Sequence, residues 1–387
     1  MVIREYSKVE LVFSSSESEA VKIALVNLRR DLIRTLDCSV TAGGIIRILV
    51  GTVGNLPELD EKADISKLRA EDGTYRKEAF LIQEKDGELL IAGTDRRGTI
   101  YGIYDFCEWL GVSPWYFFAD VPVRRRSEAV IENGYCKVDY PSVEYRGIFI
   151  NDEEELEHWV WRYMGETTIG VKTYEKIFEL LLRLKLNYIW PAMHVNSFNL
   201  KQENGALANR MGIVVGTSHC DMLMRSNNRE WKPWLAKKGY TDVEYDFSIP
   251  GRNREILKEY WRESVEQNRD FEVSYTVGMR GIHDSGFETK SLEGLTGEKL
   301  LKAKIELLES VMAAQQEILS ETLDTDPMKT FVPYKEVLEL YDNGLKVPED
   351  LTLIWTNDNY GYVRRYPGEK EKARKSGNGI YYHRTGK

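Results

Sequence analysis

Cysteine is scarce: the 387 residues hold four, Cys38, Cys107, Cys136 and Cys220, with no CxxC pair and no zinc-finger spacing. That excludes a disulfide framework and leaves four reduced or buried thiols. No apolar run approaches the roughly 18 residues that span a bilayer. The first 13 residues, MVIREYSKVELVF, lack the apolar stretch of a secretory signal, so the chain as given reads as cytoplasmic. If the N-terminus has been trimmed, extracellular or periplasmic export stays open. Histidine is also sparse, five in all, with no HxH or HExxH pair to suggest a metal. Positive charge is in deficit, 53 Lys and Arg against 62 Asp and Glu, for a net charge of −9. Nucleic acid and membrane surfaces are thereby excluded as partners on bulk electrostatics. A small anionic substrate would need a locally placed Arg or Lys.

What the chain does have is a globular core. Hydrophobic residues make up 42% and aromatics 11%, with 22 Tyr and 9 Trp. Flat amphipathic rings suit sugar faces as well as cores. Residues 9–14 read as a strand, and 16–36 carry Val21, Ala24, Leu25, Leu28, Leu32 and Leu36 at helical spacing. Residues 45–53 form a β-branched strand. Segments 79–83 and 89–92 flank KDGE, a hairpin turn. Residues 96–110 are an amphipathic helix stopped by Gly111, and 115–118 a short strand. Residues 1–140 are thus expected to be a small N-terminal α/β domain, joined near Arg124–Arg126 and Pro141 to a second domain, 141–387.

The second domain is organised around residues 145–155, YRGIFINDEEE. A brief apolar run with no helical period suits a strand buried on both faces, here ending in Asn151, Asp152 and Glu153. The layout repeats: 186–190 into His194, 212–215 into His219 and Cys220, 271–277 into Arg280 and Asp284. It continues with 330–333 into Lys335 and Glu336, 351–355 into Asp358 and Asn359, and 379–382 into His383. Helices read between them at 174–185, 254–268 and 298–322. Repeated strand–helix units predict a (β/α)8-type TIM barrel, with polar strand ends gathered on one face. Seven strands are counted, so the barrel is expected to be incomplete, lacking its last strand.

Any one Asp after a strand is ordinarily a helix cap, and a lone His is ordinarily structural. Six of seven strands ending in an ionisable group is harder to dismiss. Glycoside hydrolysis fits, because it needs two carboxyl groups and polar groups to grip hydroxyls. A metal-dependent sugar isomerase or hydrolase would draw on His194, His219, His383, Asp284 and Glu336, although Arg280 beside Asp284 argues against a purely cationic centre. A non-catalytic carbohydrate-binding module would not need so many carboxylates. Neither metal nor cofactor is called for.

The blocks RGIFINDEE, FELLLRLKLNYIWPAM, GIVVGTSH, GMRG with Asp284, PYKEV, WTNDNYGYVRR and GNGIYYH, with SPWYFFADVPV in the first domain, resemble glycoside hydrolase family 115 from about Val9 to His383. Those enzymes are α-1,2-glucuronidases that remove glucuronic acid or its 4-O-methyl ether from xylan. The resemblance implies an inverting mechanism with Asp284 and Glu336 as the catalytic carboxylates. It implies uronate binding by Glu108, Asp152, His219, Arg280, Asn359 and His383. Glucuronoxylan or derived oligosaccharides would be the substrate, and the full-length form allows a homodimer. Glu336 is assigned as acid because Pro333 and Tyr334 offer desolvation, leaving Asp284 as base. A hexosaminidase-like barrel is the alternative, although such enzymes carry adjacent carboxylates where this chain has RGIHD, with a single acid.

The chain departs from the family pattern at His194, where a second Trp is usual, and at Cys220, where a His is usual. It is also about half the family's length, so it reads as truncated, with little or no activity of its own. A first and a last strand left unpaired would expose edges prone to aggregation.

Overall fold

The computed structural model describes every residue except Asp152, Asn359 and 384–387. The chain forms two compact units. The first comprises Met1–Gly147, Lys172–Tyr188 and Leu207–Ile213, and the second Ile148–Val171, Ile189–Ala206 and Val214–Lys387.

The first unit is built on eight strands: β1 (Val2–Arg4), β2 (Lys8–Val12), β3 (Ser39–Val40), β4 (Ile46–Thr52), β5 (Phe80–Lys85), β6 (Glu88–Gly93), β7 (Glu128–Val130) and β8 (Cys136–Asp139). Six of them form one mixed sheet in the order β3-β2-β4-β6-β5-β8. The KDGE hairpin joins β5 and β6 through Asp86 and Gly87, both at positive φ, the turn that matches strand twist. Helices Glu19–Leu36 and Arg96–Leu110 pack together, and the second lies against β6. Leu49, Leu81 and Leu90 of the sheet cluster with Leu59 and Leu68. The second helix starts at Asp95, whose carboxylate accepts from the N–H groups of Arg97 and Gly98 at 2.9 Å.

The segment Lys172–Tyr188 packs with this unit for an electrostatic reason. The Arg183 guanidinium is buried 2.6 Å from Asp31 and 2.9 Å from Glu179, and Arg30 reaches Glu179 at 2.7 Å. Burial works to raise the Glu179 carboxyl, but the two guanidinium groups hold it down at about 2. The strand expected at residues 115–118 is a run of turns. Tyr116 N–H bonds to the Ser113 carbonyl and Ala119 N–H to that of Trp115, so the aromatic run spends its backbone groups locally.

Seven more strands follow: β9 (Gly147–Phe149), β10 (Tyr188–Trp190), β11 (Val214–Val215), β12 (Ser274–Thr276), β13 (Met328–Phe331), β14 (Thr352–Thr356) and β15 (Asn378–Tyr381). All but Gly147 and Tyr188 belong to the second unit. They pair in sequential order, as a three-stranded sheet β9-β10-β11 and a four-stranded parallel sheet β12-β13-β14-β15. Among the described residues a parallel bridge, Val215 to Val273, links the two sheets.

An incomplete barrel of about seven strands was expected; among the described residues seven strands pair in sequential order without closing, so the architecture is mixed α/β. Strand β9 is not buried on both faces as its apolar sequence suggested. It has one sheet neighbour, and Ile148 is 40% exposed. At the other end of the order, Tyr381 of β15 packs against Phe149 and Trp190 with ring centroids 5.5 and 5.3 Å apart. No helix among the described residues is long and apolar enough to cross a membrane.

Candidate active site

The loops after β11, β12 and β13 converge on one charged cluster within the second unit. After β12 the chain turns at Gly278, which takes φ +131, a conformation that L side chains rarely adopt. Gln315 of helix Gly297–Thr322 clamps that turn. Its amide accepts from Gly278 N–H at 2.8 Å and donates to the Gly278 carbonyl at 2.9 Å. Two residues on, Arg280 is 3% exposed.

The Arg280 guanidinium touches both candidate acids. Nε lies 2.7 Å from Asp284 Oδ1, an ion pair whose N–H is not aligned for a hydrogen bond. Nη1 lies 3.0 Å from Glu336 Oε1, and Nη2 donates to the Asp284 carbonyl at 3.2 Å. One guanidinium therefore spans the Asp284–Glu336 pair.

Asp284 has two further partners. His219 Nε2 is 3.1 Å from Oδ1, and Lys335 Nζ donates to Oδ2 at 2.8 Å. Burial alone would raise the Asp284 carboxyl. The hydrogen bonds from His219 and Lys335 and the charge of Arg280 override that and hold it well below the usual carboxylate range. His219 is pushed the other way: burial lowers its imidazole below the usual value despite Asp284 beside it.

At neutral pH His219 is therefore an uncharged donor through Nε2–H, and Arg280 and Lys335 supply the positive charge. Its other nitrogen, Nδ1, is buried with no protein partner, as fits that tautomer. The ring packs on Tyr334, centroids 4.6 Å apart. Glu336 opens helix Glu336–Asp342, and its Oε1 accepts from Phe287 N–H at 3.2 Å.

The backbone of this cluster is unusually bent. Leu223, Met224, His283, Asp284 and Lys335 all have positive φ, between 49° and 65°. Non-glycine residues persist there only when their surroundings fix them. Asn227 does part of that fixing. Its Nδ2 donates to the carbonyls of Cys220 and Gly281, and its Oδ1 accepts from His283 N–H, clipping the β11 loop to the β12 loop.

The other expected residues fall as follows. Asp152 and Asn359 lie outside the described residues. His383 follows β15, half-buried, with its backbone paired to the Asn357 amide at 2.6 and 2.7 Å. Asp358 turns its own loop, accepting from Tyr360 and Tyr362 N–H and from Arg364. Glu108 belongs to the first unit, on the last turn of helix Arg96–Leu110 with its side chain exposed. Cys220 is a buried thiol, pushed up by desolvation and not poised as a nucleophile. Among the described residues no three His, Cys, Asp or Glu side chains are arranged to hold a metal ion.

Sequence reasoning passed over three residues. Glu153 was read as a strand-end acid, yet its buried carboxylate accepts from the N–H groups of His194, Val195 and Asn196, anchoring that loop. Lys335 stands inside the PYKEV block, but a lysine at a helix start carries no signal of its own. Asn227 carried no sequence signal at all. His194, in the place of an expected Trp, meets His283 edge-on at 4.1 Å.

Paired carboxylates on one cation at strand ends are the groups that two-carboxylate hydrolysis would require. The family model for glycosyl hydrolase family 115 matches residues 138–385, and the chain belongs to that family. A solved GH115 4-O-methyl-α-glucuronidase, BtGH115A, described as specific for decorated arabinogalactans, superposes with TM-score 0.87 at 36% identity. The match covers 99% of this chain and 49% of that one, so the chain spans about half the length of this relative. More distant folds include CpGH84D, TM-score 0.51 at 12% identity over 96% of this chain and 55% of that one. The chitobiase of Flavobacterium johnsoniae gives TM-score 0.51 at 12% identity over 98% and 64%. These two share the fold alone. No curated protein matches the chain.

Proposed function

We propose that the chain carries the catalytic centre of an α-glucuronidase, releasing glucuronic acid or its 4-O-methyl ether from a decorated polysaccharide such as glucuronoxylan. The single observation that carries the reading is the Arg280 bridge between Asp284 and Glu336. Two carboxylates gathered on one guanidinium supply the pair of acids that glycoside hydrolysis needs, and the inverting course is taken from the family resemblance. The arabinogalactan-type backbone named for BtGH115A is the second substrate to try.

Asp284, held ionised, takes a proton from water as the water oxygen attacks the anomeric carbon. Glu336 gives a proton to the departing glycosidic oxygen as the old C–O bond breaks. Inversion at the anomeric centre follows, because water enters opposite the leaving oxygen. The depressed Asp284 carboxyl favours the base role over the acid role.

Arg280, expected from the resemblance to grip the uronate, has Nε, Nη1 and Nη2 engaged by Asp284 and Glu336, so it would have to exchange one of these partners to take the substrate carboxylate. His219 and His383 complete the proposed grip on the uronate; Asp152 and Asn359, expected from the resemblance to join it, lie outside the described residues. Incubation of the chain with 4-O-methylglucuronoxylan and with the aldouronic acids derived from it tests the proposal. Release of the uronic acid by the chain, or by a form extended to the length of BtGH115A, supports it, and no release by either from any decorated xylan or arabinogalactan overturns it.

A further inference from the structure

Three cations or donors surround Asp284, and they are not equivalent. His219 is buried, and Arg280, 3% exposed on its side chain, is tied to Glu336 and to the Asp284 carbonyl as well. The Lys335 side chain is 43% exposed, and its ammonium has one carboxylate partner, Asp284 Oδ2 at 2.8 Å. The ammonium lies 5.2 Å from the Tyr334 ring centroid. The Lys335 backbone, by contrast, is fixed at φ 51°, ψ −126° at the start of helix Glu336–Asp342. A pinned backbone carrying a flexible four-carbon arm is suited to moving a point charge a short way.

Oδ1 of Asp284 is taken by His219 and Arg280, which leaves Oδ2 as the oxygen for an attacking water. Lys335 sits on that oxygen. In a uronic acid the carboxylate is borne on C5, which is separated from the anomeric C1 only by the ring oxygen. A cation beside the water that attacks C1 is therefore within a side chain's swing of the substrate's own carboxylate.

We propose that Lys335 is a positioning residue that leaves Asp284 Oδ2 for the substrate carboxylate when a uronoside binds, so that the anionic substrate itself frees the base. A neutral glycoside would leave Lys335 on Asp284 and the base masked. The inference rests on the α-glucuronidase reading and adds to it a cause for acid-sugar selectivity. Among the described residues the charged or titratable groups on Asp284 are His219 from the β11 loop, Arg280 from the β12 loop and Lys335 from the β13 loop, with Glu336 acting through Arg280. Only Lys335 combines exposure with a single ionic partner.

The test compares the unaltered chain with Lys335→Met and Lys335→Arg. Binding of methyl α-glucuronide and methyl α-glucoside is measured by calorimetry, and the Asp284 carboxyl is followed by 13C NMR as pH is lowered. The unaltered chain should prefer the glucuronide. Lys335→Met should lose about tenfold or more of that preference, and Lys335→Arg should recover most of it. The Asp284 carboxyl should titrate at least about one pH unit higher in Lys335→Met. It should rise likewise in the unaltered chain saturated with glucuronide, and with glucoside it should not move.

A Lys335→Met chain that keeps the preference, or an Asp284 signal indifferent to glucuronide, overturns the inference while the α-glucuronidase reading stands. Failure of the unaltered chain to bind the glucuronide overturns both. Unfolding of the Met variant would be visible in the same NMR spectra, and the comparison then rests on Lys335→Arg and on the ligand-induced change in the unaltered chain.

Discussion

Arg280→Lys is the substitution whose consequences the geometry defines most closely. Arginine spans Asp284 and Glu336 with different nitrogens and also holds the Asp284 carbonyl. A lysine ammonium is a single point and can serve only one carboxylate well. At least one charge-assisted contact is lost in a site where the side chain is almost wholly buried. Such contacts contribute about 1.5–3 kcal/mol each. If that loss is felt fully in the transition state, kcat/KM on an aldouronic acid should fall by roughly 10- to 150-fold.

Because Arg280 orders both proposed catalytic carboxylates, the larger share should appear in kcat. The folded state loses the same contact, and the melting temperature should drop by about 2–4 °C per kcal/mol for a unit of this size. Steady-state kinetics with a thermal melt on the same preparation is the assay. Unchanged kcat and KM would refute the reasoning, since no surrounding group can take over a two-carboxylate bridge.

Four further outcomes are expected. Glu153→Ala should destabilise the chain by about 1–3 kcal/mol in urea unfolding, because three loop N–H groups lose their buried acceptor. Arg183→Met leaves Asp31 and Glu179 buried and short of a partner, and should cost about 3–5 kcal/mol in the same measurement. Stability should decline on acidification in two stages. His219, neutral in the fold, contributes stability above its ordinary value of 6.5 that is lost as pH falls below it toward its lower folded value. Asp284 does the same starting from 3.8; His219→Gln should remove the first stage, and its persistence would show another group is responsible. Finally, Asp284→Asn and Glu336→Gln should each cut turnover at least about 100-fold while leaving the fold intact by circular dichroism.

Much of this was legible from the chain. The repeated pattern of short apolar segment followed by polar residues gave seven strands after Gly147, and all seven form. Arg280, Asp284 and Glu336 come together because each follows an adjacent strand, β12 or β13, and strand ends in such a sheet share a face. Less legible were features set by neighbours and not by local sequence. Ile148 looks buried in a linear reading, and its exposure follows from β9 having one sheet partner. The run 115–118 has strand composition, but its N–H groups bond locally. Glu153 and Asn227 act through contacts 41 to 56 residues distant in the chain, which no short motif encodes. Lys335 was hidden for another reason: a lysine beginning a helix is ordinary, and only its positive φ and its distance to Asp284 set it apart.

The most direct test of the Asp284–Glu336 account is the configuration of the first product. Proton NMR in the first minutes of reaction on an aldouronic acid should show the β-anomer of the released uronic acid accumulating ahead of the α-anomer, and Asp284→Asn should abolish it. Early appearance of the α-anomer, or unimpaired release by Asp284→Asn, would contradict a base at Asp284 delivering water across from the proton donor.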